Sequence, residues 1–191
     1  MIHEEVINMI IGIIVIVVIV LIVIWAISTY NSLVKLRNKV EASWAQVDVV
    51  LKRRFDLIPN LVATVKGYAK HESETLTSVI QARNAYANAS TIEDKIDSSN
   101  MLSNTLNHLF ALSEAYPDLK ANTNFLDLQN QLKETEDKIQ YARQFYNDDV
   151  KAYKNKCEMF PSSLIANMKH FESKPFFKTE EASRKAPKVQ F

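Results

Sequence analysis

The sequence predicts an all-α protein, with one N-terminal transmembrane helix followed by an antiparallel bundle of about four long, coiled-coil-like helices. Three observations predict it. Met9 to Ile27 is 19 residues with no charged or polar side chain, and at roughly 1.5 Å per residue a helix of that length crosses a hydrocarbon core of roughly 30 Å. From Tyr30 onward apolar residues recur at spacings of three and four, the period of a helix face. The 191 residues include only two glycines and five prolines, fewer turn formers than a β-sandwich or barrel needs.

Fourteen of the 19 residues in the apolar run are Ile or Val, types that favour strands by propensity. Lipid overrides that preference, because only a helix satisfies every backbone group within one isolated spanning segment. Soluble core helices rarely run so far without a polar residue. A cleaved signal peptide would have a basic start and a shorter apolar stretch, whereas this run follows His3, Glu4 and Glu5. No Lys or Arg precedes it, while Lys35, Arg37, Lys39, Lys52, Arg53 and Arg54 follow, against Glu41 and Asp48. Positive charge resists translocation, which predicts a short non-cytoplasmic N-terminus (1–8), a span (9–27) and a cytoplasmic bundle (28–173). Trp25 and Tyr30 fall where an aromatic belt sits. A basic tail (174–191) completes the chain, with disorder expected beyond Lys178.

The first cytoplasmic stripe reads Leu33, Leu36, Val40, Trp44, Val47, Leu51, Phe55, Ile58. No Gly or Pro separates it from the span, so one helix is expected to run out of the membrane. Pro59 lacks an N–H and crowds the carbonyl of Phe55, which predicts a kink or a fresh start capped by Asp56. A second helix carries Leu61, Val65, Tyr68, Leu76, Val79 and Tyr86 and ends near Asn88. Ser90 and Glu93 have the spacing of a capping box for a third, with Ile96, Leu102, Leu106 and Leu109 on its face and Pro117 at its end. The last long helix reads Phe125, Leu128, Leu132, Thr135, Ile139, Ala142, Tyr146, Val150, Tyr153, Cys157, Phe160. That is a heptad seam with one stutter, and its 36 residues make a helix about 54 Å long. Pro161 ends it, and Leu164, Ile165, Met168 and Phe171 form a short amphipathic patch before Phe176 and Phe177.

Residue types bound the chemistry. Lys plus Arg is 23 and Asp plus Glu is 22, a balance that argues against nucleic acid as a partner. Two glycines 55 residues apart make no phosphate-binding loop. His3, His71, His108 and His170 have no partner at metal-ligand spacing, and no Glu-x-x-His pair is present, so no metal site or cofactor is predicted. Cys157, the single cysteine, lies on the apolar seam and reads as a packed thiol in a reducing compartment rather than as a nucleophile. Carboxylates such as Glu134, Glu136 and Asp137 read as a solvated helix face. Lys52-Arg53-Arg54 reads either as core-flanking cations paired with acids on neighbouring helices or as a basic ring for headgroups or a partner. Arg53 lies roughly 39 Å beyond Ile27 in a straight helix, which weakens the lipid version.

Two blocks carry a family resemblance. Tyr30 to Glu72 reads YNSLVKLRNKVEASWAQVDVVLKRRFDLIPNLVATVKGYAKHE and Ala115 to Val150 reads AYPDLKANTNFLDLQNQLKETEDKIQYARQFYNDDV, with FPSSLIA later. Together they resemble the bacterial LemA family across most of the chain. The resemblance implies an anchored helical bundle at the bacterial cell (inner) membrane with no known active site, and so carries over no catalytic residue. Phe55 departs from it, because a histidine is expected there. The sequence therefore leads to a non-enzymatic scaffold that associates with the lipid bilayer and self-assembles as a homo-oligomer. The alternative is an adaptor that recruits an unknown cytoplasmic protein in envelope or signalling processes. The candidate interaction residues are Arg53, Arg54, Leu164, Ile165, Met168, Phe171, Phe176 and Phe177, with the C-terminal patch as the first candidate contact between copies.

Overall fold

The computed structural model describes residues 2–69 and 71–177, and the expected disorder beyond Lys178 lies outside them. Among the described residues every regular element is a helix: α1 (Ile2–Tyr68), α2 (Ser73–Asn88), α3 (Ile92–Ser113), α4 (Pro117–Lys120), α5 (Thr123–Glu158) and α6 (Ser162–Met168). The long apolar N-terminal helix is followed by helices packed in an antiparallel arrangement.

α1 is one helix of 67 residues with Pro59 inside it. The fresh start expected at Asp56 does not occur. Proline removes a single backbone donor, while Ile58 and Leu61 on either side are completely buried, and that packing holds the helix through the interruption. The buried stripe of α1 is Thr29, Leu33, Val40, Ser43, Val47, Leu51, Arg54, Ile58, Leu61 and Val65. It passes through Ser43 and Arg54, where a count of apolar residues alone selects the adjacent Trp44 and Phe55. Both aromatics are half-buried beside the stripe.

Local capping sets the other boundaries. Thr91, one residue later than expected, accepts a hydrogen bond at 3.0 Å from the Asp94 N–H and opens α3. Asn122 Oδ1 accepts from the Phe125 N–H at 2.9 Å in the first turn of α5. α5 has the expected 36 residues, but it stops at Glu158, so Phe160 falls in the turn and leaves the seam.

The chain forms two compact units, one from residues up to Ala42 with Asp148–Lys174, the other from Ser43–Asn147 with the stretch from Pro175. In the first, α1 and the end of α5 run antiparallel, with Lys39 Nζ 2.6 Å from Asp149 Oδ1. α6 folds back so that Ile165 and Ala166 bury Leu33, with Ala26, Cys157 and Phe171 packed around them. His170 ends α6 at φ 52°. The Phe171 N–H donates to the Ala166 carbonyl at 3.0 Å and the His170 N–H to that of Asn167 at 3.3 Å, a Schellman closure with Phe171 folded onto Ala166. The second unit is a bundle of the later part of α1 with α2, α3, α4 and the earlier part of α5. Its core includes Leu61, Val79, Leu102, Leu109, Leu119 and Phe125.

Candidate functional site

The apolar run is the first functional feature. Within α1 the most apolar 18-residue window has a mean hydropathy of 3.7 and none of it is buried by the rest of the chain. Ile, Val and Leu point outward on every side of the helix. Water cannot be their solvent without a large cost, and a bilayer is the environment that matches both length and composition.

Arg54 is the second. Its side chain is only 2% exposed, because α1 places it on the buried stripe between Leu51 and Ile58. Burial of a guanidinium is tolerable when most of its donors are used, and here both Nη groups are engaged while the buried Nε has no partner among the described residues. Nη1 donates to Glu136 Oε2 at 2.8 Å and to Ser103 Oγ at 2.7 Å, while Nη2 donates to Ser99 Oγ at 2.7 Å and to the Ser99 carbonyl at 3.0 Å. Arg143 Nη2 donates to the same Ser99 Oγ at 2.9 Å. Loss of hydration pulls the Arg54 pKa down, and the Glu136 carboxylate opposes that pull. The cluster thus joins α1, α3 and α5 through one charge, consistent with the core-flanking reading of the basic run. Arg53, the adjacent cation, lies outside the stripe with Glu134 Oε2 at 4.0 Å.

An open cleft of about 520 Å³ adjoins this cluster, lined by Arg54, Ser103, Asn107, Gln129, Lys133 and Glu136 among others. Four amides, the Ser103 hydroxyl and the charged groups of Arg54, Lys133, Glu136 and Asp137 form its polar wall, with Leu106, Phe110 and Leu132 supplying an apolar side. Among the described residues no group of three or more His, Cys, Asp or Glu side chains converges as a metal site needs. Phe55 stacks under the Arg83 guanidinium at 3.9 Å and lies 5.7 Å from the Tyr86 ring. The Tyr86 hydroxyl donates to Asp48 Oδ1 at 3.1 Å. A cation–π and aromatic contact therefore stands where a histidine was expected. Burial pushes the Cys157 thiol pKa up, the opposite of what an activated nucleophile requires.

The C-terminal candidates do not form one surface. Ile165 and Phe177 are buried, Phe171 and Phe176 are half-buried, and Leu164 and Met168 are exposed. Phe177 stacks on Trp44 with centroids 5.9 Å apart and meets the Tyr146 ring edge-on at 6.0 Å. Its backbone is clamped by Asn147, whose Oδ1 accepts from the Phe177 N–H at 2.9 Å and whose Nδ2 donates to the Phe177 carbonyl at 3.0 Å. The Tyr146 hydroxyl donates to the Pro175 carbonyl at 2.8 Å. Composition gave no sign that this stretch packs.

Two residues outside the expected set stand out. Tyr141 and Phe145 are 67% and 65% exposed, one turn apart on α5 and off its buried seam. The signal was in the sequence as an aromatic i,i+4 pair, but it was masked by the stronger heptad beside it.

Comparison with known proteins fits this arrangement. Protein LemA of Metamycoplasma hominis is 25% identical over 161 residues, covering 81% of this chain and 71% of that protein. Magnetosome proteins MamQ 1 and MamQ 2 of Paramagnetospirillum magneticum are each 22% identical over 179 residues, covering 80% of this chain and 66% of theirs. The sequence model of the LemA family matches residues 43–191, most of the chain and all of it beyond the first part of α1. With that match, and with a long apolar helix leading into an antiparallel helical domain, the chain belongs to the LemA family.

Proposed function

We propose that the protein is a membrane-anchored, non-enzymatic scaffold that self-assembles on the cytoplasmic face of the bacterial cell membrane. The observation that carries this reading is the exposed pair Tyr141 and Phe145 on a helix whose seam already buries Phe125, Leu132, Ile139, Tyr146 and Tyr153. Aromatic residues are enriched where proteins meet, and an i,i+4 pair presents them as one ridge. The span is a poor glue, because Gly12 and Ala26 are its only small residues and they do not form a small-xxx-small motif. Assembly therefore falls to the water-facing helices. Anchoring concentrates copies in two dimensions, so weak contacts multiply into a closed or ring-like homo-oligomer.

The charge flanks support the orientation: acid only before the span, six basic residues by Arg54 after it. An impermeant thiol label on Asn88→Cys, in a Cys157→Ala background, should react only after cells are lysed, and reaction in intact cells would reverse the topology. Sedimentation of the full chain in mild detergent should give a mass far above one copy plus its micelle. Monomers at every concentration would remove the scaffold reading. The adaptor reading would then take its place, and the polar cleft beside Arg54 is the observation that favours it, as a seat for a segment of a cytoplasmic partner.

A further inference from the structure

The turn after α5 and the helix α6 leave four large apolar side chains uncovered: Met159 at 63%, Phe160 at 80%, Leu164 at 58% and Met168 at 63% exposed. Single exposed apolar residues are ordinary, but four within ten positions form a patch that asks for an occupant. The register of the first unit shows what lies beside it. Lys39 and Asp149 face each other across antiparallel helices. Nine residues further along α5 is Glu158, its last residue, and nine residues back along α1 is Tyr30, so the turn that carries Met159 and Phe160 starts beside the end of the apolar run, near Ser28. Ser28 directly follows Ile27, the last residue of the uninterrupted apolar run. α6 agrees with that placement, since its buried side packs on Ala26 and Leu33, a stretch of about 10 Å of α1 that begins inside the run.

The patch is also held in place. Ser162 Oγ lies 2.7 Å from the Lys156 carbonyl and 2.8 Å from that of Met159, tying the turn to both helices. Phe171, fixed by the closure of α6, meets the Tyr30 ring edge-on at 5.9 Å, and Tyr30 is the aromatic three residues past the run. Lys156 and Lys169 flank the four apolar residues, with Glu158 drawn toward Lys154 at 3.7 Å.

We infer that Met159, Phe160, Leu164 and Met168 form an apolar foot that rests in the headgroup and upper acyl region of the same bilayer that α1 crosses. An apolar surface at that depth buries itself roughly 5–10 Å into the interface while neighbouring lysines stay among the headgroups. The chain would then touch the membrane twice, once through the span and once through the end of α5, which fixes the tilt of the first unit against the lipid. This inference rests on the membrane reading of α1 and is independent of self-assembly.

The test uses the full chain in a Cys157→Ala background, reconstituted into phosphatidylcholine–phosphatidylglycerol vesicles. Nitroxide labels are placed singly through Ile16→Cys, Phe160→Cys, Met168→Cys and Tyr141→Cys. Collision with oxygen, which concentrates in lipid, is compared with collision with a water-soluble nickel chelate. The account predicts that labels at 160 and 168 resemble the one at 16, with nickel collisions severalfold below those at 141. Nickel access at 160 and 168 equal to that at 141, with the label at 16 in lipid, overturns the inference. An aqueous label at 16 overturns the span reading instead, and the inference with it. Nickel protection at 160 together with dipolar broadening that disappears when unlabelled protein is mixed in would show a second copy on the patch, and that also overturns it.

Discussion

α1 is one continuous helix with two different kinds of surface. From Met9 to Trp25 its side chains are nearly all Ile, Val and Leu, and none is buried. From Thr29 the same helix confines its buried residues to one stripe with steps of three, four and seven, and apart from Arg54 its charges lie off that stripe. Helix formation does not distinguish the halves, since the hydrogen-bond ladder is the same in both. The difference lies in where apolar surface goes. The first half needs an apolar solvent around its whole circumference, and the second needs only another helix on one side. Hydrophobicity in the first half gives location, and in the second it gives register.

The largest effect should come from exchanging the two surfaces' rules. Ile14→Arg with Val17→Arg puts two charges mid-span, each costing about 2.5–3.5 kcal/mol by insertion scales. The carbonate-resistant membrane fraction should collapse, while Val49→Arg on the exposed side of the second half should leave it unchanged. A double-arginine variant that stays fully integrated would mean the run does not cross the bilayer.

Next come changes to the second half. Trp44→Ala removes the ring that packs on Tyr146 and Phe177 and should cost about 3 kcal/mol, the low end for a large aromatic because Trp44 is only half-buried. Glu136→Gln strands the Arg54 charge in the core and should also cost about 3 kcal/mol, since Glu136 itself is 32% exposed. Arg53→Ala, one residue away on the wet side, should cost no more than about 0.5 kcal/mol. Thermal melts followed by circular dichroism in mild detergent read all three. Equal melting for Glu136→Gln and Arg53→Ala would refute the contrast between the two arginines.

A smaller, pH-gated effect is expected from two tyrosines. Burial is the main cause that pushes the Tyr146 and Tyr153 hydroxyls from an ordinary 10.0 up to about 12. A phenol whose folded pKa is raised stabilises the fold fully below its unfolded value, and that contribution is lost as pH climbs through the folded value. Melting temperature should therefore hold steady through neutral pH and fall between about pH 10 and about pH 12, with a shallower fall in Tyr146→Phe. The smallest effect has the opposite sign. His170 occupies a left-handed position that glycine adopts without steric cost, so His170→Gly should stabilise by about 0.5–1 kcal/mol. A drop in melting temperature would show that the imidazole contributes more than its backbone costs.

Much of this was legible in the residues. The all-helical class, the candidate span and the 36-residue length of α5 follow from period and charge, whereas the stripe read as one helix from Leu61 to Tyr86 is divided between α1 and α2. What was not legible has a common cause. Ser43 and Arg54 sit on the buried stripe although neither is apolar, so a count of apolar residues steps to Trp44 and Phe55 instead. Pro59 breaks helices locally, but its effect is outweighed by packing that only the partner helices supply. The placement of Phe177 against Trp44 and Asn147 depends on contacts across 133 and 30 residues of chain, which no local pattern encodes. The four uncovered residues from Met159 to Met168 read as an ordinary amphipathic patch until the register set them beside the end of the span.

The central claim is that copies of this anchored domain meet through the exposed face of α5. Mass photometry of the full chain in lipid nanodiscs or gentle detergent tests it most directly, with wild type beside a Tyr141→Glu, Phe145→Glu variant at matched concentration. The account predicts wild-type particles at several times the monomer mass, and single copies of a variant that keeps its helicity and its melting temperature. Monomeric wild type at every concentration, or a doubly substituted variant whose assemblies are as large as the wild type's, would contradict it.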